Sequence, residues 1–199
     1  MNWSEIASVS VTLFFIMDPL GNIPIFNAVL AGCDNARRTR IVARELCLAL
    51  LILLGFLFAG NAILSFLGLS QSSLNIAGGL LLFIISLRMI FPKTVAAEEI
   101  GDTEDPFLVP LAIPLIAGPS TIAMLLLLSS GQPDRLLEWS VALFLAWLGT
   151  TVLLIASPAL LRVLGTRGSR ALERLMGMIL VILATQMLLN GIRDFIHSL

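Results

Sequence analysis

From Leu46 to Leu87 the sequence carries no charged residue. Soluble domains have roughly one charge in four residues, so a run of this length belongs in lipid. Further charge-free stretches run from Pro106 to Pro133, Trp139 to Leu161 and Leu175 to Ile192. Hydrophobic residues make up 58% of the chain and charged residues only 13%, which defines an integral membrane protein. The formal net charge of −1 offers no basic surface for nucleic acid.

A span needs about 20 apolar residues. The stretch from Leu46 is long enough for two, with Leu67-Gly68-Leu69-Ser70-Gln71-Ser72-Ser73 as the turn between them. Together with the segment before Asp34, this predicts six helices, over 6–31, 43–66, 73–91, 107–129, 138–161 and 174–195. Met1-Asn2-Trp3-Ser4-Glu5 has no basic region and no cleavage pattern follows, so the first span is expected to be retained.

Ten of the twelve basic residues fall between helices 1 and 2 (Arg37, Arg38, Arg40, Arg44), 3 and 4 (Arg88, Lys93), or 5 and 6 (Arg162, Arg167, Arg170, Arg174). The positive-inside rule puts these connections in the cytoplasm and both termini outside. In a bacterial cell that means the inner membrane, with periplasmic termini. Cys33 and Cys47 fall on the reducing side and are expected to stay unpaired. Trp3 and Trp139 fall at the outer interface, and the acidic run Glu98 to Asp105 reads as a solvated linker.

Within the first span lies Asp18-Pro19-Leu20-Gly21-Asn22-Ile23-Pro24. Burying a carboxylate at bilayer depth costs about 2.5 to 3.5 kcal/mol on the insertion scale, so Asp18 needs a proton, a partner or a wet cavity. Pro19 and Pro24 lack backbone donors, Gly21 tolerates most dihedrals and Asn22 can cap a helix. The fourth span carries matching punctuation, Ile113-Pro114-Leu115-Ile116-Ala117-Gly118-Pro119-Ser120-Thr121. Gly118-Pro119 fits a cap and first-turn pair. It would leave amide donors and the hydroxyls of Ser120 and Thr121 at a helix N-terminus, which attracts anions.

Three spans per half force the second half upside down. The expected fold is therefore all-α and integral to the membrane, with six transmembrane helices as two inverted three-helix repeats (1–91 and 107–199) joined by a linker at 92–106. Helices 1 and 4 are discontinuous. Matched breaks are the sequence mark of a transporter site, here one for a small zwitterion. Its ammonium would lie near the Phe15 to Met17 carbonyls and Asp18, and its carboxylate at Gly118. Asp18 has four roles open to it: proton carrier, cation ligand, ammonium ligand or plain helix cap. Asn75, Gly78 and Gly79 in the third span are either packing positions or cavity wall, and Asn75, Gln186 and Asn190 are expected to hydrogen-bond between helices.

Asp18-Pro19-Leu20-Gly21-Asn22-Ile23-Pro24-Ile25-Phe26, Gly78-Gly79, Leu87-Arg88-Met89 and Ile113-Pro114-Leu115-Ile116-Ala117-Gly118-Pro119 together resemble the MarC family of bacterial inner-membrane proteins, over essentially the whole chain. The second motif of that family usually continues with glycine and a small residue, whereas this chain has Ser120-Thr121. The resemblance implies six helices and transport of neutral amino acids such as glycine and alanine.

Other functions have little to stand on. No Gly-x-x-x-x-Gly-Lys loop exists for ATP, so a gradient of H+ or Na+ would be the energy source and no cofactor is expected. An intramembrane enzyme would need paired acids, a nucleophile with its base, or a metal set. The single histidine, His197, is at the end of the chain, and no second acid stands beside Asp18 within a span. A facilitator or channel for small polar solutes, or an exporter of small metabolites, would use the same broken helices. The expected partners are a small solute and the bilayer.

Overall fold

The computed structural model describes residues 2–30, 34–91 and 116–198, and among these the regular structure is entirely helical. The elements are α1 (Trp3–Met17), α2 (Pro19–Val29), α3 (Asn35–Leu67), α4 (Gln71–Ile90), α5 (Pro119–Gly131), a 3-10 turn (Pro133–Arg135), α6 (Leu136–Ile155) and α7 (Ser157–His197). Five segments are long and apolar enough to cross a membrane, and α5 is a shorter apolar helix. The linker at 92–106, its acidic run, the first part of the fourth span and Cys33 lie outside the described residues, whereas Cys47 is exposed and unpaired.

Helix boundaries follow local chemistry more than hydropathy. The Arg38 amide donates to the Asp34 carbonyl (2.8 Å), so α3 starts at Asp34-Asn35, residue types that favour helix starts. The arginines assigned to the first connection therefore stand on the helix itself. α4 opens where the Ser70 hydroxyl accepts from the Ser73 amide (3.1 Å), after Gly68 turns the chain at φ +64°.

The largest departure is at the fifth span. Helix α6 ends at Ile155, and Ser157-Pro158 begins α7 with proline in its first turn. α7 then breaks once, at Gly165 (φ 63°, ψ 178°). The expected loop at 162–174 is thus helical on both sides of one glycine.

The most extensive packing joins α4 to α7; α1 packs on α6, and α3 on both α5 and α6. Lipid tails are as apolar as leucine, so close contact of small residues drives association. A side chain at Gly79 would meet the Ala184 carbonyl and Leu188 amide of α7 at 3.0 Å, and one at Gly191 would meet the Ile76 amide of α4 at 3.0 Å. The main buried cluster, around Leu13, Met17, Phe26, Leu53 and Leu143, lies between α1, α2, α3 and α6. Leu51, Phe58, Val152 and Ile182 project outward, as a lipid-facing surface requires.

Polar ties span this core sparingly. The Trp147 Nε1 donates to the Leu46 carbonyl (2.8 Å), which explains a tryptophan below the interface. Arg38 Nη2 donates to Asn27 Oδ1 and to the hydroxyl of the buried Ser157 (3.0 Å), tying α3 to α2 and to the start of α7. Arg38→Ala is expected to cost roughly 1.5 to 3 kcal/mol, as charged hydrogen bonds do. A lower melting temperature of the detergent-solubilised protein would register it; an unchanged one would show the tie to be idle.

Candidate functional site

Asp18 separates α1 from α2 in the left-handed conformation (φ 44°, ψ 58°), the one non-glycine residue with positive φ among those described. A β-carbon in that region costs roughly 1 to 2 kcal/mol. The carboxylate offsets part of this by capping α2, since Oδ1 accepts from the Gly21 amide (3.1 Å), and Pro19 fills the first position where no donor is missed.

Gly21 is needed for space. It is helical, and a β-carbon there would run into Asp18 Oδ2 and the Met89 methyl. The dihedral freedom expected of it is not used.

The break also looks after its own carbonyls. Phe15 O accepts from the Asp18 amide (3.0 Å) and Met17 O from Asn22 Nδ2 (3.2 Å). The carbonyls expected to face an ammonium thus each already accept one hydrogen bond within the break. Asn22 ties back across the break and does not cap a new helix.

At the second break Gly118 is the cap residue of α5 in extended conformation, with Pro119 in the first turn. Thr121 Oγ1 donates to the Ile116 carbonyl (3.3 Å), a tie over five residues like that of Asn22 to Met17. Ser120 differs. Its hydroxyl is buried and has no hydrogen-bond partner among the described residues, an arrangement that ordinarily costs about 1 to 3 kcal/mol.

The two breaks meet at one cavity of about 360 Å³. Asp18, Gly21 and Asn22 line it from one side, and Gly118, Pro119, Ser120 and Thr121 from the other. Arg88 near the end of α4 and Glu173 of α7 complete its charged lining. Neither was singled out as a site residue, and Glu173 overturns the expectation that Asp18 has no acidic neighbour within the spans. Arg88 stood in a recognised motif but read as an orientation signal. Glu173, between arginines, carried no signal of its own.

The other candidates go elsewhere. Gly78 and Gly79 are buried against Ala123, Met187, Ala184 and Leu188 and do not line this cavity. Asn75 lines a different one. Gln186 donates to Asn190 within α7 (2.9 Å), not between helices. Glu45, an acid that no sequence motif marks, is buried in α3 and pairs with Arg44 (2.9 Å). Trp139 is buried beneath the Arg135 guanidinium, 4.5 Å from its ring centre, so it is no lipid-facing interface residue.

Fold and site together define a multi-span helical membrane protein whose two helix breaks share one charged cavity. The sequence comparisons agree with that class. The MarC family of integral membrane proteins matches residues 3–196, and the chain belongs to that family. It is similar to the UPF0056 inner membrane protein YhgN of Escherichia coli K12, 52% identical over 191 residues that cover 96% of this chain and 97% of the relative. A UPF0056 membrane protein of Buchnera aphidicola (subsp. Baizongia pistaciae) is 48% identical over 97% of this chain and 98% of its own length. One from Methanocaldococcus jannaschii is 35% identical over 92% and 93%. No solved structure matches the chain.

Proposed function

We propose that the protein is a secondary transporter of small neutral amino acids of the glycine, alanine and serine type, driven by H+ or Na+ and working by alternating access. One observation carries this reading: both helix breaks open on a single cavity. Broken helices at membrane depth are tolerated where they line a cavity, and paired ones are how transporters bind solutes.

The lining also has the charge pattern of a zwitterion's complement. Asp18 and Glu173 suit an ammonium group; Arg88, the first amides of α5 and the Ser120 hydroxyl suit a carboxylate. With the halves aligned on their breaks, α2 corresponds to α5, α3 to α6 and α4 to α7. The contacts of α4 with α7 and of α3 with α6 then map onto themselves, and that of α2 with α6 onto that of α5 with α3, as two related halves would have it. Because the basic residues cluster at the end of the bundle that holds Arg88, the positive-inside rule turns this cavity to the cytoplasm and both termini to the periplasm of the inner membrane.

The test is uptake of labelled glycine, alanine and serine by purified protein in vesicles under an imposed pH or sodium gradient. Accumulation that an ionophore abolishes is the expected result. Equilibration without accumulation would make the protein a facilitator, and no movement of any of them would end the transporter reading. In the same assay Gly21→Ala, which displaces the Asp18 carboxylate, is expected to lower uptake about fivefold, or ~1 kcal/mol. Uptake at the parent rate would show that the carboxylate position is unimportant.

A further inference from the structure

A second cavity, of about 430 Å³, lies at the other end of the bundle. Glu5 and Ser8 of α1, Gln71 and Asn75 of α4, Leu127 and Leu128 of α5, and Asp194 of α7 contribute to it. These are the same four helices that supply Ile16, Ile85, Ser120 and Glu173 to the first cavity. Along α1 the interval from Val9 to Ile16 is about 10 Å, and along α4 from Asn75 to Ile85 about 15 Å, at 1.5 Å per residue.

Apolar side chains fill that interval. Ile16, Leu82, Ala184 and Met187 form one buried cluster with Met124 packed on it, and Gly78 brings α4 against Ala123 and the Met187 methyl. Methionine is the side chain best able to repack without a backbone change.

The unpartnered atoms follow the same line. Among the described residues two buried side-chain polar atoms lack a hydrogen-bond partner, Ser120 Oγ and Trp139 Nε1. Ser120 and Trp139 each line one of the two cavities, although these two atoms are themselves covered. Buried donors without partners are costly and call for an explanation, and a side-chain turn that uncovers them to a polar solute would supply one.

We infer that the seam between α1, α4, α5 and α7 is the solute path, with the Asn75–Trp139 cavity as its outer vestibule and the Ile16, Leu82, Met124 and Met187 layer as its seal. The vestibule is held by Arg135, which pairs with Glu5 on α1 and with Glu138 on α6 while lying on the Trp139 ring. This rests on the transporter reading above and deepens it by naming the second access site. Asn75 becomes a solute-contacting residue of the outer half.

The test starts from protein with Cys33→Ser and Cys47→Ser, reconstituted in vesicles. Asn75→Cys, Ile85→Cys and the lipid-facing Leu80→Cys are introduced singly and treated with a membrane-impermeant methanethiosulfonate from either side. Reagent is expected to reach Asn75→Cys and Ile85→Cys from opposite sides. Modification of Asn75→Cys should cut glycine exchange at least about tenfold, the effect of ~1.4 kcal/mol, and leave Leu80→Cys unaffected. Labelling of both from one side, or full exchange by the modified Asn75→Cys protein, overturns the path. If the parent exchanges no amino acid while labelling runs from opposite sides, the substrate reading falls and the two-ended seam stands.

Discussion

Asp18→Asn is expected to lower amino acid uptake roughly tenfold to a hundredfold while leaving the protein folded. Asparagine caps helices as well as aspartate does and enters the left-handed region almost as readily. Its carbonyl oxygen can still accept from the Gly21 amide, as Asp18 Oδ1 does. What disappears is the charge. A charge-assisted hydrogen bond to an ammonium group is worth about 1.5 to 3 kcal/mol, which converts to that range of rates. Asp18→Ala removes charge and cap together, and should add a stability loss of about 1 kcal/mol. Melting curves and uptake rates of both variants separate the two roles. Parent-like uptake by Asp18→Asn would reduce Asp18 to a cap.

Gly79→Leu is expected to prevent α4 from seating on α7. Of the three atoms that a new side chain would meet at 3.0 Å, the Ala184 carbonyl and the Leu188 amide are backbone and cannot swing aside, and only the Leu188 side chain can yield. Overpacking costs typically about 1 to 3 kcal/mol where side chains can adjust, and more is expected here because one helix must lift from the other. Loss of the monodisperse peak in size-exclusion chromatography is the predicted outcome. Gly55, with nothing within 4 Å of an added β-carbon, is the contrast. Gly55→Ala should be neutral or stabilise by about 0.5 to 1 kcal/mol. A well-behaved Gly79→Leu protein would mean that the α4–α7 contact is looser than described.

The apolar spans and both helix breaks were legible in the sequence because each is a local property. Hydropathy marks a membrane segment, and Asp-Pro or Gly-Pro marks a cap followed by a first turn. Ser157-Pro158 is written in the same grammar, but no charge interrupts Trp139 to Leu161, so length alone sets that span. The arginines in the first turns of α3 and beyond Gly165 read as loop residues because hydropathy windows end where charges begin, whereas helices do not. Arg88 and Glu173 are a different kind of omission. They join Asp18 only because α4 and α7 converge there, and no spacing along the chain records that meeting.

The ties from Asn22 to the Met17 carbonyl and from Thr121 to the Ile116 carbonyl bear on the unloaded half of a transport cycle. A carrier must also make its return journey empty. If the freed carbonyls were satisfied only by cargo, the vacant protein would be penalised at every crossing and held to one-for-one swapping. Here each break brings its own substitute, so a carrier of the proposed kind would not need cargo to satisfy these carbonyls on its empty return.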